Sequence, residues 1–243
     1  MSFLDKLRLK ARADKYRRRT DPGGIRFILE TLRPGDTALD VGAHKGGYAF
    51  WMLKQVGERG RVIGFEPQRS LFEYLNKIKK SLRWENFSVE HLALSDHEGS
   101  VELRIPVKKD KKSSPGASIV KTVFEEGDVR TESVMANTLD HFCSQHSVVP
   151  HLLKIDVEGN ELAVLQGGKQ VLQRYHPAIL LECEARHVGT ERVWETFRFL
   201  EKLGYQGFFI EGSLFRPLAE FDFSKHQSED QKPYCNNFVF QKN

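Results

Sequence analysis

LDVGAHKGGYAFWM, residues 39–52, joins an apolar run to one acid, three glycines and the start of a helix-like stretch. An apolar strand that breaks at a glycine turn and continues as a helix is the opening unit of a parallel α/β sheet. Glycines at such a turn let the backbone come close to a ligand, where side chains would block the approach.

Outward from this turn the alternation repeats. TALDVG (37–42) and GRVIGFEP (60–67) read as strands, GYAFWMLKQVG (47–57) as a helix stopped by Gly57, and RSLFEYLNKIKKSL (69–82) as a helix with Leu71, Leu75, Ile78 and Leu82 on one face. NFSVEHLALSD (86–96) supplies a third strand and completes a βαβαβ half of a doubly wound sheet. After Asp96 the rhythm breaks. GSVELRIPV (99–107) alternates like an antiparallel strand, KKDKKSSPGAS (108–118) is charged and turn-rich, and ESVMANTLDHF (132–142) begins extended again. These features predict a β-hairpin insertion at about 99–142, with 108–118 as a mobile lid. The parallel pattern resumes with HLLKIDVEG (151–159), a helix over NELAVLQGGKQVLQ (160–173), a strand PAILLECE (177–184), a helix near 190–203 and YQGFFIEG (205–212). NNFVFQ (236–241) is expected to close the sheet as an antiparallel edge. The fold class is α/β: a doubly wound, Rossmann-like, mostly parallel sheet in one domain, 21–243, behind a basic helical extension, 1–20.

The 243 residues are 40% hydrophobic, enough for a sizeable core. No apolar run approaches the roughly 18–20 residues of a membrane helix, and the basic N-terminus lacks the apolar stretch of a signal peptide, so a cytoplasmic protein is expected. Cys143, Cys183 and Cys235 form no CxxC pair, which argues against both a zinc site and a disulfide framework. The net charge of +4 is local: residues 1–20 carry eight Lys/Arg against two Asp, leaving the remainder slightly acidic. The stripe of Phe3, Leu4, Leu7 and Ala11 makes this a solvated helix packed by one edge. Peripheral contact with a membrane surface or another phosphate-rich partner is the alternative, and nucleic acid is disfavoured.

Asp40 ends a buried strand, and Glu66 closes the next one about 20 residues beyond the glycine turn, the place of a carboxylate that accepts ribose hydroxyls. An adenosine-containing cofactor fits. A pyrophosphate calls for GxGxxG, which DVGAHKGG lacks, and Asp40 would repel phosphate while attracting the ammonium of a methionine moiety. S-adenosylmethionine is therefore favoured over NAD, and an NAD-dependent oxidoreductase is the rival enzyme class.

The chain resembles the FkbM family of class I S-adenosylmethionine-dependent methyltransferases over roughly residues 37–240. LLKIDVEGNELAVLQGG (152–168) is similar to the family's most distinctive block, and GFEP, LALSD, TLD, ILLECE and LGY follow in the family's order. The resemblance implies that Asp40, Gly42 and Gly46 line the methionine end, Glu66 the ribose, Ala93 and Leu94 the adenine, and Asp156 the region near the transferred methyl. Where the family usually has Asn after DVGA this chain has His44, which can still donate one hydrogen bond. Its Gly-x-Ser-Ser-Leu segment reads GASI (116–119) here, with Ser118 in register on the acceptor side. The implied activity is O-methylation of a hydroxyl on a sugar, glycan or other small-molecule natural product. A catalytically inactive fold serving as a binding module is the non-enzymatic alternative.

Lys154, Asp156 and Glu158 alternate along a strand expected to be central, where ionisable residues are unusual. In the expected strand order Lys154 falls between Asp40 and Glu182. Asp156 or Glu158 is suited to accept the acceptor's proton, Lys154 to hold these carboxylates, and His187 in ECEARH is a rival base on the acceptor side. A cation held by Glu158, Glu182 and Glu184 is disfavoured because no compact Asp/Glu motif is present.

Overall fold

The computed structural model describes residues 3–107, 116–120, 129–228, 230 and 232–242. Helix α1 (Phe3–Lys15) runs through a π-helical turn (Tyr16–Thr20) into α2 (Pro22–Thr31), then β1 (Thr37–Val41), α3 (Gly47–Val56), β2 (Arg61–Phe65), α4 (Arg69–Leu82) and β3 (Phe87–Glu90). The insertion comprises β4 (Ala93–Leu94), β5 (Gly99–Pro106) and β6 (Val129–Asn137). Helix α5 (Leu139–Gln145), β7 (Leu152–Ile155), α6 (Glu161–Gln166), α7 (Lys169–Tyr175), β8 (Ala178–Glu182), α8 (Ala185–Val188) and α9 (Thr190–Lys202) follow. The chain closes with β9 (Gln206–Glu211), β10 (Leu214–Pro217), α10 (Phe223–His226) and β11 (Asn237–Gln241).

Eight strands form one sheet in the order β10-β9-β11-β8-β7-β1-β2-β3. Strands β3, β2, β1, β7 and β8 are parallel, so their carboxyl ends share one edge. Strand β11 is antiparallel, but it lies between β8 and β9 rather than at the edge. Its composition explains the place: Phe238, Val239 and Phe240 are all buried, which requires cover on both faces. The antiparallel edge is β10, whose Arg216 and Pro217 are exposed, as suits a strand that must not recruit another.

Side chains of alternate strand residues enter opposite cores. Leu39, Ile63, Leu153, Ile179 and Phe238 pack with residues of α5, α6, α7 and α9, whereas Ala38, Val62, Leu152, Leu180 and Val239 pack with residues of α1, α2 and α3. By the same alternation Asp40, Lys154 and Glu182 share the second face, near the carboxyl edge. Helix α2 was not anticipated. Pro22 opens it, Asp21 caps it by accepting the Gly24 N–H at 2.8 Å, and Gly23 lets it sit close to Ile210.

Two expected elements are broken. The run 86–96 leaves the large sheet after Glu90, and Ala93–Leu94 pairs instead with β6 in a second sheet ordered β4-β6-β5. The helix expected over 160–173 splits at Gly167–Gly168. An added Cβ on Gly167 would stand 2.1 Å from the Ser95 carbonyl oxygen, so these glycines admit close packing. Helix α7 then starts afresh, with the Gln170 and Val171 N–H groups donating to Asp140 at 3.0 and 2.8 Å.

The β5–β6 hairpin pairs from Gly99↔Ala136 to Pro106↔Val129. Ser118 returns the chain onto β5, exchanging two backbone hydrogen bonds with Arg104 at 2.8 and 2.9 Å. Of the expected lid, residues 108–115 lie outside the described residues. No described helix is long and apolar enough to cross a membrane.

Candidate active site

A cavity of about 280 Å³ opens at the carboxyl edge of the parallel strands. Its wall takes residues from the glycine turn, the ends of β2, β7 and β8, the insertion, and the N-terminal segment.

The glycine turn is folded tightly on itself. Gly42 and Ala43 N–H both donate to the Phe65 carbonyl at 3.0 Å, and Gly46 N–H donates to the Ala43 carbonyl at 2.8 Å. Gly42 has φ +82°, and an added Cβ would lie 1.9 Å from the Asp156 carbonyl oxygen, so the turn abuts the end of β7. Glu66 is the turn's second support. Its carboxylate accepts the His44 N–H at 2.7 Å and the Gln68 N–H at 2.8 Å, while burial pushes its pKa up to about 8. Gly42, His44, Glu66, Ala93 and Leu94 all line the cavity.

Asp40 and Gly46 are not on its wall. The space beside Gly46 faces Leu75 and Leu9. Asp40 is buried, with the Ala49 backbone N–H and the Lys154 ammonium as its nearest donors. It acts through Lys154, whose Nζ stands 3.8 Å from Oδ1. Burial raises Asp40 to about 6. His44 is lowered to about 4, by burial first and by Lys45 second, and among the described residues its Nε2 has no partner, so the imidazole is neutral.

Lys154 organises the floor. Its Nζ donates to Asp156 Oδ2 at 3.0 Å and to the Gly42 carbonyl at 3.4 Å, and it lies 4.8 Å from the centre of the Tyr48 ring. Burial alone would lower its pKa, but Asp156 and Asp40 outweigh that and raise it, so it stays an ammonium. As an ammonium it is suited to holding these carboxylates.

The three alternating charges do not continue one straight strand. Strand β7 ends at Ile155, and Glu158 has φ +52°, in the left-handed region. This turn sends Glu158 toward His187, with Oε2 and Nε2 3.3 Å apart, and its carbonyl accepts the Ser118 hydroxyl at 2.7 Å. Burial and then Asp156 raise Glu158 to about 7, and burial lowers His187. Glu158, Asp156, Ser118 and Glu182 line the cavity, whereas His187 does not. Glu182 accepts the Asn236 amide at 2.8 Å and is raised well above the carboxylate range by burial. Glu184 is committed elsewhere, to Arg186 at 2.7 Å and Tyr234 at 2.8 Å. Among the described residues no three His, Cys, Asp or Glu side chains are grouped as metal ligands.

Sequence reasoning missed the wall opposite the insertion. Arg12, Tyr16, Thr20, Asp21 and Tyr48 line the same cavity. The Tyr48 hydroxyl donates to Asp21 at 2.8 Å, and the Tyr16 and Tyr48 rings meet edge to face at 5.0 Å. Asp21-Pro22-Gly23-Gly24 was the available signal, a capping residue followed by proline at the first helical position. Asn236 and Asn237 also escaped notice, because they reach the wall only through the interior placement of β11.

The residues present fit S-adenosylmethionine. Glu66 retains lone pairs for ribose hydroxyls beyond its two backbone donors, Ala93 and Leu94 give apolar cover, and His44 brings a buried nitrogen unpartnered among the described residues.

Residues 40–208 match the family described as the methyltransferase FkbM domain. Hexuronic acid methyltransferase AglP from Haloferax volcanii is 28% identical over 153 residues, covering 61% of this chain and 56% of that protein. The chain thus spans little more than half the length of that curated relative. Among solved structures, methyltransferase FkbM from Methylobacillus flagellatus KT superposes with a TM-score of 0.55 at 14% identity, covering 89% of this chain and 50% of that one. Cofactor-bound Rv0187 from MTB gives 0.54 at 14% identity, covering 100% and 92%. These structures share the fold. With the family match spanning well over half of its residues, the chain belongs to the FkbM methyltransferase family.

Proposed function

We propose that this methyltransferase methylates a hydroxyl of a sugar or glycan acceptor, with Glu158 as the general base. The observation that carries the reading is Glu158 itself: a cavity-lining carboxylate held near 7 by burial, 3.3 Å from His187 and tied to the insertion through Ser118. A base of that pKa is matched to proton acceptance at neutral pH. Asp156 is the weaker candidate, because its carboxylate is engaged by the Lys154 ammonium at 3.0 Å.

S-adenosylmethionine supplies a methyl group already activated on a sulfonium. The chain's part is to orient the acceptor oxygen and take its proton. Glu66 receives the ribose hydroxyls, Ala93 and Leu94 flank the adenine, and Gly42 and His44 border the methionine portion. Asp40 and Gly46 support that end from behind the wall. Ser118, Glu182 and Asn236 offer polar groups to the acceptor, and His187 positions Glu158. The name of the Haloferax volcanii relative, a hexuronic acid methyltransferase, supports a sugar as the acceptor class.

The test is methyl transfer from labelled S-adenosylmethionine to a panel of free hexuronic acids, hexuronate-ended oligosaccharides, neutral sugars and amines, read by mass spectrometry and NMR. The expected product carries one methyl ether on a sugar oxygen. Transfer only to nitrogen overturns the reading.

A further inference from the structure

We infer that the N-terminal helix belongs to the donor site, where Arg12 binds the α-carboxylate of the donor's methionine portion. The inference rests on S-adenosylmethionine occupying the cavity.

Most N–H groups of the glycine turn are already committed. The N–H groups of Gly42, Ala43, His44 and Gly46 are all spent on Phe65, Glu66 and Ala43 inside the turn. The floor offers Asp21, Asp156 and Glu182 as acceptors for the ammonium of the amino acid, and its Lys154 ammonium is already engaged by Asp156 at 3.0 Å, Asp40 at 3.8 Å and the Gly42 carbonyl at 3.4 Å. The carboxylate is then best met from the rim, where Arg12 and Lys45 line the cavity.

Arg12 is placed for that role. It lines the cavity, and its Nη1 lies 3.3 Å from both the Lys45 carbonyl and the Tyr74 hydroxyl, directly over the turn. Among the described residues no carboxylate pairs with it, and a guanidinium offers five donors in a planar fork that matches a carboxylate. The helix that carries it is firmly seated. Leu9 and Ala13 are fully buried, the Trp51 indole donates to the Ala13 carbonyl at 2.8 Å, and the Tyr16 ring occupies the space beside Gly47, 3.2 Å from where a Cβ would be. Leu9, Arg12, Ala13 and Tyr16 all precede the matched family region, which begins at residue 40.

The test is calorimetric binding of two probes to the full chain and to Arg12→Gln and Arg12→Lys. One probe is S-adenosylhomocysteine, and the other is S-adenosyl-3-thiopropylamine, which keeps the amine but lacks the carboxylate. Arg12→Gln should bind S-adenosylhomocysteine about ten-fold or more weakly, the scale of a hydrogen bond to a charged group, and bind the decarboxylated probe as the wild type does. Arg12→Lys should recover part of the loss. An equal loss for both probes would show a merely structural helix and overturn the inference. Unchanged affinity for S-adenosylhomocysteine with a raised KM for an acidic acceptor would also overturn it and assign Arg12 to the acceptor's carboxylate. If the wild type binds neither probe, the donor assignment of the cavity falls along with this one.

Discussion

His187 Nε2 stands 3.3 Å from Glu158 Oε2, yet only Glu158 faces the cavity. Burial moves the pair in opposite directions, Glu158 up to about 7 and His187 down. A general base must be ionised to act, so single-turnover methyl transfer should rise with pH through about 7. Glu158→Gln should flatten this limb and slow transfer by about 100-fold or more. His187→Ala, which removes a hydrogen bond available to the carboxylate, should move the limb to higher pH. An Glu158→Gln variant with the wild-type rate and profile would remove Glu158 as the base.

Asp156 separates support from chemistry. Asp156→Asn keeps an acceptor for Lys154 but removes a charge, and Lys154 retains Asp40 at 3.8 Å and the Gly42 carbonyl at 3.4 Å. Stability should fall by about 1.5–3 kcal/mol, the scale of a charge-assisted hydrogen bond. Transfer by the folded variant should decline less than in Glu158→Gln. Denaturant melts and single-turnover rates on the same preparations check both, and the reverse order would make Asp156 the base.

Gly42→Ala probes the contact between the turn and β7. Alanine must adopt φ +82° and place Cβ 1.9 Å from the Asp156 carbonyl oxygen, so the turn has to move. The expected cost is at least about 2 kcal/mol, with donor binding lost alongside it. Thermal melts with and without S-adenosylhomocysteine measure both, and an unshifted melt that still responds to ligand contradicts the argument.

Glu66 serves turn and ligand together. Its two oxygens accept the His44 and Gln68 N–H groups, so Glu66→Gln confronts one of these donors with an amide NH₂. S-adenosylhomocysteine should bind about 1.5–3 kcal/mol more weakly by calorimetry. Full affinity in a folded variant would remove the ribose assignment.

By itself the sequence determined the alternation of elements around LDVGAHKGG, the glycine turn, and the set of carboxylates at the strand ends. These are local matters: apolar period, glycine freedom, and the cost of charge in a buried strand are written in neighbouring residues. The tertiary structure alone decided what covers them. Periodicity says that Phe238, Val239 and Phe240 are buried, but their place between β8 and β9 depends on pairing with Leu181 and Phe209, far away in the chain. Gly167 reads as helix until the Ser95 carbonyl is brought against it. His187 meets Glu158 only because Glu158 takes a left-handed backbone turn after β7. Residues 1–20 read as a basic solvated helix, whereas packing on α3 puts Arg12 and Tyr16 on the cavity wall. A pattern of buried positions encodes that a face must be covered; which surface covers it is set by shape and charge complementarity between distant segments, and that exists only once the chain has folded.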